Sequence, residues 1–363
     1  MFSGFLKAYA NYMKVFHTLP TLQLSLVIAL LTATFDASSA SLPDPSDALI
    51  YQLKDSLVKI STATKSGGHG FGTGVAITKD HIVTNCHVVA NASGVSASRW
   101  GDEFPPVALL ADWKHDVCIL RFEWANFKPV ALGDSNLLTY EQPVISISMP
   151  SDSPAPYVAL STIKALYPMD DAAVVRTEAA FAIGASGSPL FDYEGKLIGI
   201  STFKSPGRNA YFYNMSVQWV KDLMKMPEVK LNSAHDLPFW DAPDESRPFF
   251  MQVVLPYQNN RWQDLQTIAS KWTAQEPKNV EAWYYLGSAA QHLGDSANAK
   301  KDFQTALSLK SNHPATLQAL ALMAHVQGNE AEVEKIRLTL KDVNADLLQS
   351  LDEALKTPDK LIN

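Results

Sequence analysis

From about residue 51 to residue 220 the apolar positions come in short runs, at 74–85, 116–122, 143–149, 157–166, 196–203 and 211–217. Each is rich in β-branched and aromatic side chains and is broken off by Gly, Pro, Asn or Asp, a pattern that predicts strands of an all-β barrel or sandwich. From about Asn260 the texture changes to helical periodicity with many Ala, Leu, Gln and Lys residues and few β-branched ones. Between the two, Pro227, Pro238, Pro243 and Pro248 interrupt any regular element. Residues 226–257 are therefore predicted as a linker, with Phe239, Trp240, Phe249 and Phe250 available to pack it on a neighbour. The predicted organisation is a β domain over 41–225, the linker, and a helical domain over 258–357, each half folding separately, so that a chain ending near Met226 keeps the chemistry of the β half.

One longer apolar run, Leu22 to Phe35, lies near the start behind Lys7 and Lys14 and before the small residues Ala37, Ser38, Ser39 and Ala40. This is the charge and size layout of an export signal over residues 1–40, cut after Ala40. An uncleaved anchor is the other reading, although the run is shorter than the about 20 apolar residues of a spanning helix. Export to a periplasmic or extracellular space follows from the first reading. That space permits a disulfide.

Of the 363 residues 47% are hydrophobic and 18% charged, enough to build a packed core and unlike a disordered chain. Lys plus Arg is 30 against 37 for Asp plus Glu, a net charge of −7 that provides no broad basic surface for nucleic acid. The two cysteines, Cys86 and Cys118, are too few for a disulfide scaffold and lack the spacing of a zinc site. They are expected close in space but free, because Cys86 adjoins His87 and points away from the face that Cys118 shares with Asp116.

Three segments of the β half carry chemistry. They are Thr84-Asn85-Cys86-His87, His115-Asp116 ahead of an apolar run, and Gly184-Ala185-Ser186-Gly187. A serine hydroxyl needs a base to take its proton, and the base needs a carboxylate to fix its tautomer and stabilise the imidazolium. The order His87, Asp116, Ser186 supplies those three groups, and glycines beside Ser186 let the N–H groups of Gly184 and Ser186 converge on one oxyanion. This chemistry needs no metal and no cofactor. His69, His81 and His115 lack the same context and read as surface or turn residues.

These segments, with Gly70 to Val75, Ala131 to Ser135, Thr177 to Ala180 and Lys196 to Ile200, resemble the trypsin-like serine peptidases, most nearly the HtrA (DegP-like) branch, over about 56–222. The resemblance implies a pair of six-stranded antiparallel β-barrels with the triad in the cleft between them. It also implies His87 as general base and acid, Asp116 as the orienting carboxylate, Ser186 as nucleophile, and an acyl-enzyme route of peptide hydrolysis. The position that selects basic substrates in this family is Ala180 here, which argues against Arg or Lys specificity. Thr202 and Phe203, with Ser201, either pair with the substrate backbone or pack beneath the site. Two residues depart from the family pattern: Ser188 follows Ser186-Gly187 in place of a glycine, and Ala185 replaces a polar residue.

The helical half repeats with a period of about 34 residues. Trp283 aligns with Leu317, Leu286 with Leu320, Gly287 with Ala321 and Ala290 with Ala324. Together with Ala299, Phe303 and Ala306 this resembles the tetratricopeptide (TPR) family, with small Gly287 and Ala299 opposite bulky Trp283 and Phe303. A TPR array implies either a surface for a protein partner or a stabilising module. The expectation for the whole chain is an exported serine endopeptidase acting on protein or peptide, its repeats recruiting substrate or partner. The alternative is a catalytically silent exported TPR adaptor on a trypsin-like barrel.

Overall fold

A computed structural model of the chain describes residues 43–356 apart from 65–66, 152–154, 182–183, 208 and 232–235. The expected export signal at 1–40 lies outside the described residues. Among the described residues no helix is long and apolar enough to cross a membrane.

Helix α1 (Asp47–Lys54), N-capped by Ser46, leads into a first sheet of β1 (Leu57–Thr64), β2 (His69–Ala76), β3 (His81–Thr84), β4 (Ala92–Arg99), β5 (Asp102–Phe104), β6 (Pro106–Asp112) and β7 (Val117–Phe122). A short helix, α2 (Cys86–Val89), follows β3. The remaining strands, β8 (Pro143–Ser148), β9 (Tyr157–Met169), β10 (Ala172–Thr177), β11 (Pro189–Asp192), β12 (Leu197–Lys204) and β13 (Phe212–Ser216), close into a barrel in the order β10-β13-β12-β11-β8-β9. Helix α3 (Val217–Leu223) ends the β half.

Two closed six-stranded barrels were expected, but the first sheet has seven strands in the order β5-β4-β1-β2-β3-β7-β6 and its hydrogen bonding does not close. The outer edge of β6 is instead bridged by the chain that follows the second barrel, Leu109 and Val229 exchanging N–H to carbonyl bonds of 3.2 and 2.6 Å. That isolated bridge pairs both backbone groups of Leu109 in the middle of the edge strand without closing the sheet.

β12 shows how the rest of the molecule is arranged. Its residues Leu197 to Phe203 are all buried, the polar Ser201 and Thr202 included, where a strand with one wet face would alternate between buried and exposed positions. The second cover comes from the C-terminal helices. Pro-interrupted residues 226–257 form short turns at Phe239–Asp241 and Asp244–Ser246, then α4 (Phe249–Gln252) and α5 (Val254–Gln258). Six helices follow: α6 (Trp262–Gln275), α7 (Val280–His292), α8 (Ser296–Leu309), α9 (Pro314–Val326), α10 (Glu330–Val343) and α11 (Ala345–Leu355). Phe250, Val253, Leu265, Trp272 and Tyr285 of this region share one apolar core with Tyr167, Val174, Ile200, Tyr213 and Met215 of the barrel. The described residues of the predicted linker are thus packed in part against the barrel and helices, and the two halves are joined through a common core.

Polar groups interlock across the same junction. Tyr140 Oη donates to Glu281 Oε1 at 2.9 Å, His313 Nε2 lies 3.2 Å from that oxygen, and Arg176 Nη1 donates to Tyr167 and Tyr285. Burial works to raise the Glu281 carboxyl. His313, Arg176 and the Tyr140 hydroxyl outweigh it and hold the group below its ordinary value.

Within the helices the repeat shows as paired caps. Asp295 and Asn329 cap α8 and α10, each preceded by a glycine of positive φ, Gly294 and Gly328. A Cβ on Gly287 would lie 2.7 Å from the Phe303 ring, which is why α7 and α8 approach so closely there. Tyr284, not Trp283, joins Phe303 in that cluster, because the Trp283 indole turns to donate to Pro277 O.

Candidate active site

β3 ends at Thr84, and Asn85, extended at φ −83° and ψ 147°, turns the chain into α2. That change of direction sends consecutive side chains different ways: Cys86 inward and His87 toward the turn between β6 and β7. Cys86 and Cys118 form a disulfide with Cα atoms 4.8 Å apart, which corrects the expectation of free thiols. That expectation tied Cys86 to the direction of its neighbour. The helical turn at Asn85 uncouples them, and Thr84 already pairs with Cys118 across β3 and β7.

Asp116 sits in the turn before β7 at φ +58°, 1% exposed. Its Oδ1 accepts the His87 backbone N–H at 2.8 Å, and its Oδ2 lies 2.6 Å from His87 Nδ1. Its carbonyl accepts from Asn85 Nδ2 at 2.9 Å and from Cys86 N–H at 3.3 Å. A proton on Nδ1 facing the carboxylate leaves Nε2 of neutral His87 as an acceptor on a ring that is 31% exposed.

The Ser186 turn is anchored to β2 and β12. Thr73 N–H donates to Ser186 O at 2.8 Å, Thr73 Oγ1 to Gly184 O at 3.0 Å, and Gly187 N–H to Ser201 O at 2.9 Å. Gly187 has φ +87°, and a Cβ there would lie 2.1 Å from Thr73 O and 2.4 Å from Thr84 Oγ1. The turn therefore rests on the strand that ends just before His87. A Cβ on Gly72 would likewise touch both Val88 of α2 and Ser186 O, so β2 carries the histidine helix and the serine turn side by side. Among the described residues the N–H groups of Gly184 and Ser186 have no intramolecular acceptor, and Ser186 Oγ and His87 Nε2 are not hydrogen-bonded.

The remaining expected positions fall as follows. Ala180 is exposed beyond β10 and carries no charge. Thr202 is buried, its Oγ1 accepting from Asn85 Nδ2 and donating to Ile200 O, so its side chain braces the floor beneath Asp116. Phe203 stacks on Tyr213 at 4.7 Å and on Trp240 at 5.5 Å. Both side chains are thus engaged in packing.

Two participants were not singled out from sequence. His115 was expected at a surface or turn. It does lie in a turn, but it is only 7% exposed, stacked on Trp219 and held between Asp112 Oδ2 at 2.6 Å and Asp170 Oδ2 at 2.7 Å. The Lys114 ammonium on Asp170, helped by His115, holds that carboxyl below its ordinary value against the opposing effect of burial. Trp240 donates its indole N–H to Asp116 Oδ2 at 3.1 Å. Its only sequence signal was aromatic density in a proline-rich stretch.

Residues 72–200 match the family described as a trypsin-like peptidase domain. That stretch contains all three segments just described. The chain is 35% identical over 136 residues to a probable periplasmic serine endoprotease, DegP-like, of Halomonas elongata, covering 36% of this chain and 29% of the relative. It is 30% identical over 186 residues to the serine protease Do-like HtrB of Bacillus subtilis, covering 43% and 41% of the two chains. This chain therefore spans well under two thirds of either relative. Among solved structures, the active form of the Rv3671c protease from M. tuberculosis aligns with a TM-score of 0.47 at 19% identity, over 53% of this chain and 94% of that one.

Proposed function

We propose that this chain is an exported serine endopeptidase that hydrolyses protein or peptide through an acyl-enzyme. Ser186 is the nucleophile, His87 the base and then the acid, and Asp116 the carboxylate that fixes the histidine tautomer. The observation that carries this reading is the doubly hydrogen-bonded His87–Asp116 pair beside a glycine-bound serine turn with two unpaired N–H groups. His87 Nε2 accepts the serine proton as Oγ attacks the carbonyl, and the imidazolium so formed is stabilised by Asp116. The tetrahedral oxygen takes the N–H groups of Gly184 and Ser186, and Nε2 then protonates the leaving amine. The missing Ser186–His87 bond is of the kind that tightens when substrate binds.

Ala180, small and uncharged, supports cleavage after small or medium apolar residues, since it offers a basic side chain no carboxylate to pair with. The Cys86–Cys118 bond and the similarity to probable periplasmic DegP-like endoproteases support an oxidising, exported location. Paired caps and glycines at the tetratricopeptide period support TPR-like repeats, which we assign to recruiting a partner or substrate. Labelling with a fluorophosphonate tests the core of the reading. A serine-directed adduct mapped to Ser186 is expected, and its absence from folded protein would favour the silent adaptor.

A further inference from the structure

The Asp116 carboxylate has a third hydrogen-bond donor that neither the first sheet nor the barrel supplies. Trp240 reaches it from the chain beyond the second barrel, its Nε1–H 3.1 Å from Oδ2, the oxygen that also faces His87 Nδ1. The same indole meets the His87 ring edge-on, with centroids 5.5 Å apart at 86°, and lies near-parallel to Phe203 at 5.5 Å. It is fixed from behind. Phe239 N–H donates to Lys114 O at 3.1 Å, and the Phe239 ring packs on Phe203 and Phe250. Phe250 in turn stacks on Tyr167 at 4.4 Å, inside the core shared with α6 and α7.

We propose that Trp240 is a positioning residue of the proposed triad, holding the Asp116 carboxylate and confining the His87 ring, so that the catalytic apparatus of the barrel is complete only when the segment joining it to the helices is docked. This rests on the triad reading above. Three N–H groups, from the His87 backbone, the His87 ring and Trp240, fix the carboxylate plane, and a carboxylate that cannot rotate holds Nε2 on one heading. The indole N–H also draws negative charge from Oδ2. Without it Oδ2 turns more of its negative charge toward the imidazolium that forms during the reaction. The other charged groups on the elements around the pair are already engaged or wet: Asp112, Lys114 and His115 are tied to one another or to Asp170, while Lys204 and Asp241 are exposed.

The test uses the full chain and a fluorophosphonate probe, following the rate of Ser186 labelling from about pH 5 to 9, the span over which a histidine titrates. Trp240→Phe keeps an aromatic ring and removes the N–H. Replacement of Trp240 by 3-benzothienylalanine keeps the full ring shape with sulfur in place of the N–H, and guards against loss of folding in the first variant. Both are expected to label about 3–10-fold more slowly at saturating probe, to bind the probe within about twofold of wild type, and to shift the rising limb of the pH profile upward. Wild-type rates with an unshifted limb in the benzothienyl variant would overturn the proposal. A role in packing alone predicts that outcome. Ser186→Ala, run in parallel, separates the two levels: continued labelling at the wild-type rate there would overturn the triad reading itself, whereas loss of labelling with unshifted Trp240 variants removes only the role of Trp240.

Discussion

Ser186 is half-buried and its hydroxyl has no hydrogen-bond partner among the described residues, so removing that oxygen touches the chemistry and little else. Ser186→Ala is expected to abolish hydrolysis and fluorophosphonate labelling with an unchanged melting temperature. His87→Ala should cost a comparable factor, and the double variant no more than either, because the members of a triad act as a unit. Gly187 is constrained differently. Its positive φ and a would-be Cβ 2.1 Å from Thr73 O mean that Gly187→Ala must displace either β2 or the serine turn. A loss of about 1–3 kcal/mol in urea unfolding is expected together with lost labelling, and normal labelling would show the turn to be more tolerant than its geometry implies. At Cys86 and Cys118, alkylation of denatured, unreduced protein should add no mass and alkylation after reduction two labels. Cys118→Ser should cost about 2–5 kcal/mol of stability.

At the scale of elements, the junction between the barrel and helices α7 and α9 has a built-in acid sensitivity. Glu281 is buried and ionised against His313, Arg176 and Tyr140, with its folded pKa below the unfolded value. A group depressed in this way adds stability that is fully present above the ordinary carboxyl range and is lost as pH falls through the folded value. Melting temperature against pH should therefore show Glu281→Gln well below wild type near neutrality, by about 3–5 kcal/mol for a broken buried pair, with the gap closing in acid. A gap that stays constant down to about pH 3 would place the loss in packing and not in charge.

For the whole molecule, the shared core weighs against the expectation that the β half stands alone. A chain ending near Met226 would lose Phe250, Trp272 and Tyr285 and leave Tyr167, Tyr213 and Met215 facing water. Each large apolar side chain so exposed costs about 1.5–3 kcal/mol, against a typical total of 5–15 kcal/mol, so the shortened protein is expected to unfold or aggregate. A chain ending near Tyr257 retains Trp240 and Phe250 and should hold more residual structure and labelling than the shorter one. Cooperative unfolding of the Met226 chain at the wild-type temperature would show the common core to be dispensable.

What the sequence determined by itself is what depends on neighbours along the chain. Strand-length apolar runs, the order of His87, Asp116 and Ser186, the glycines that a turn at Ser186 requires, and the spacing of Gly294 and Gly328 are all local, and local pattern sets local conformation. β12 carried a non-local hint as well, since Leu197 to Ile200 has no polar side chain on either face, which implies cover on both, although it cannot say what provides that cover. Three outcomes were decided only by the tertiary structure. Asn85 turns the chain so that Cys86 and His87 part company, and the disulfide follows from that turn. Val229 caps β6, leaving the first sheet open. Trp240, 124 residues further along the chain, meets Asp116. In each case the deciding partner lies far along the chain or depends on a change of direction, and hydrophobic periodicity carries no information about either.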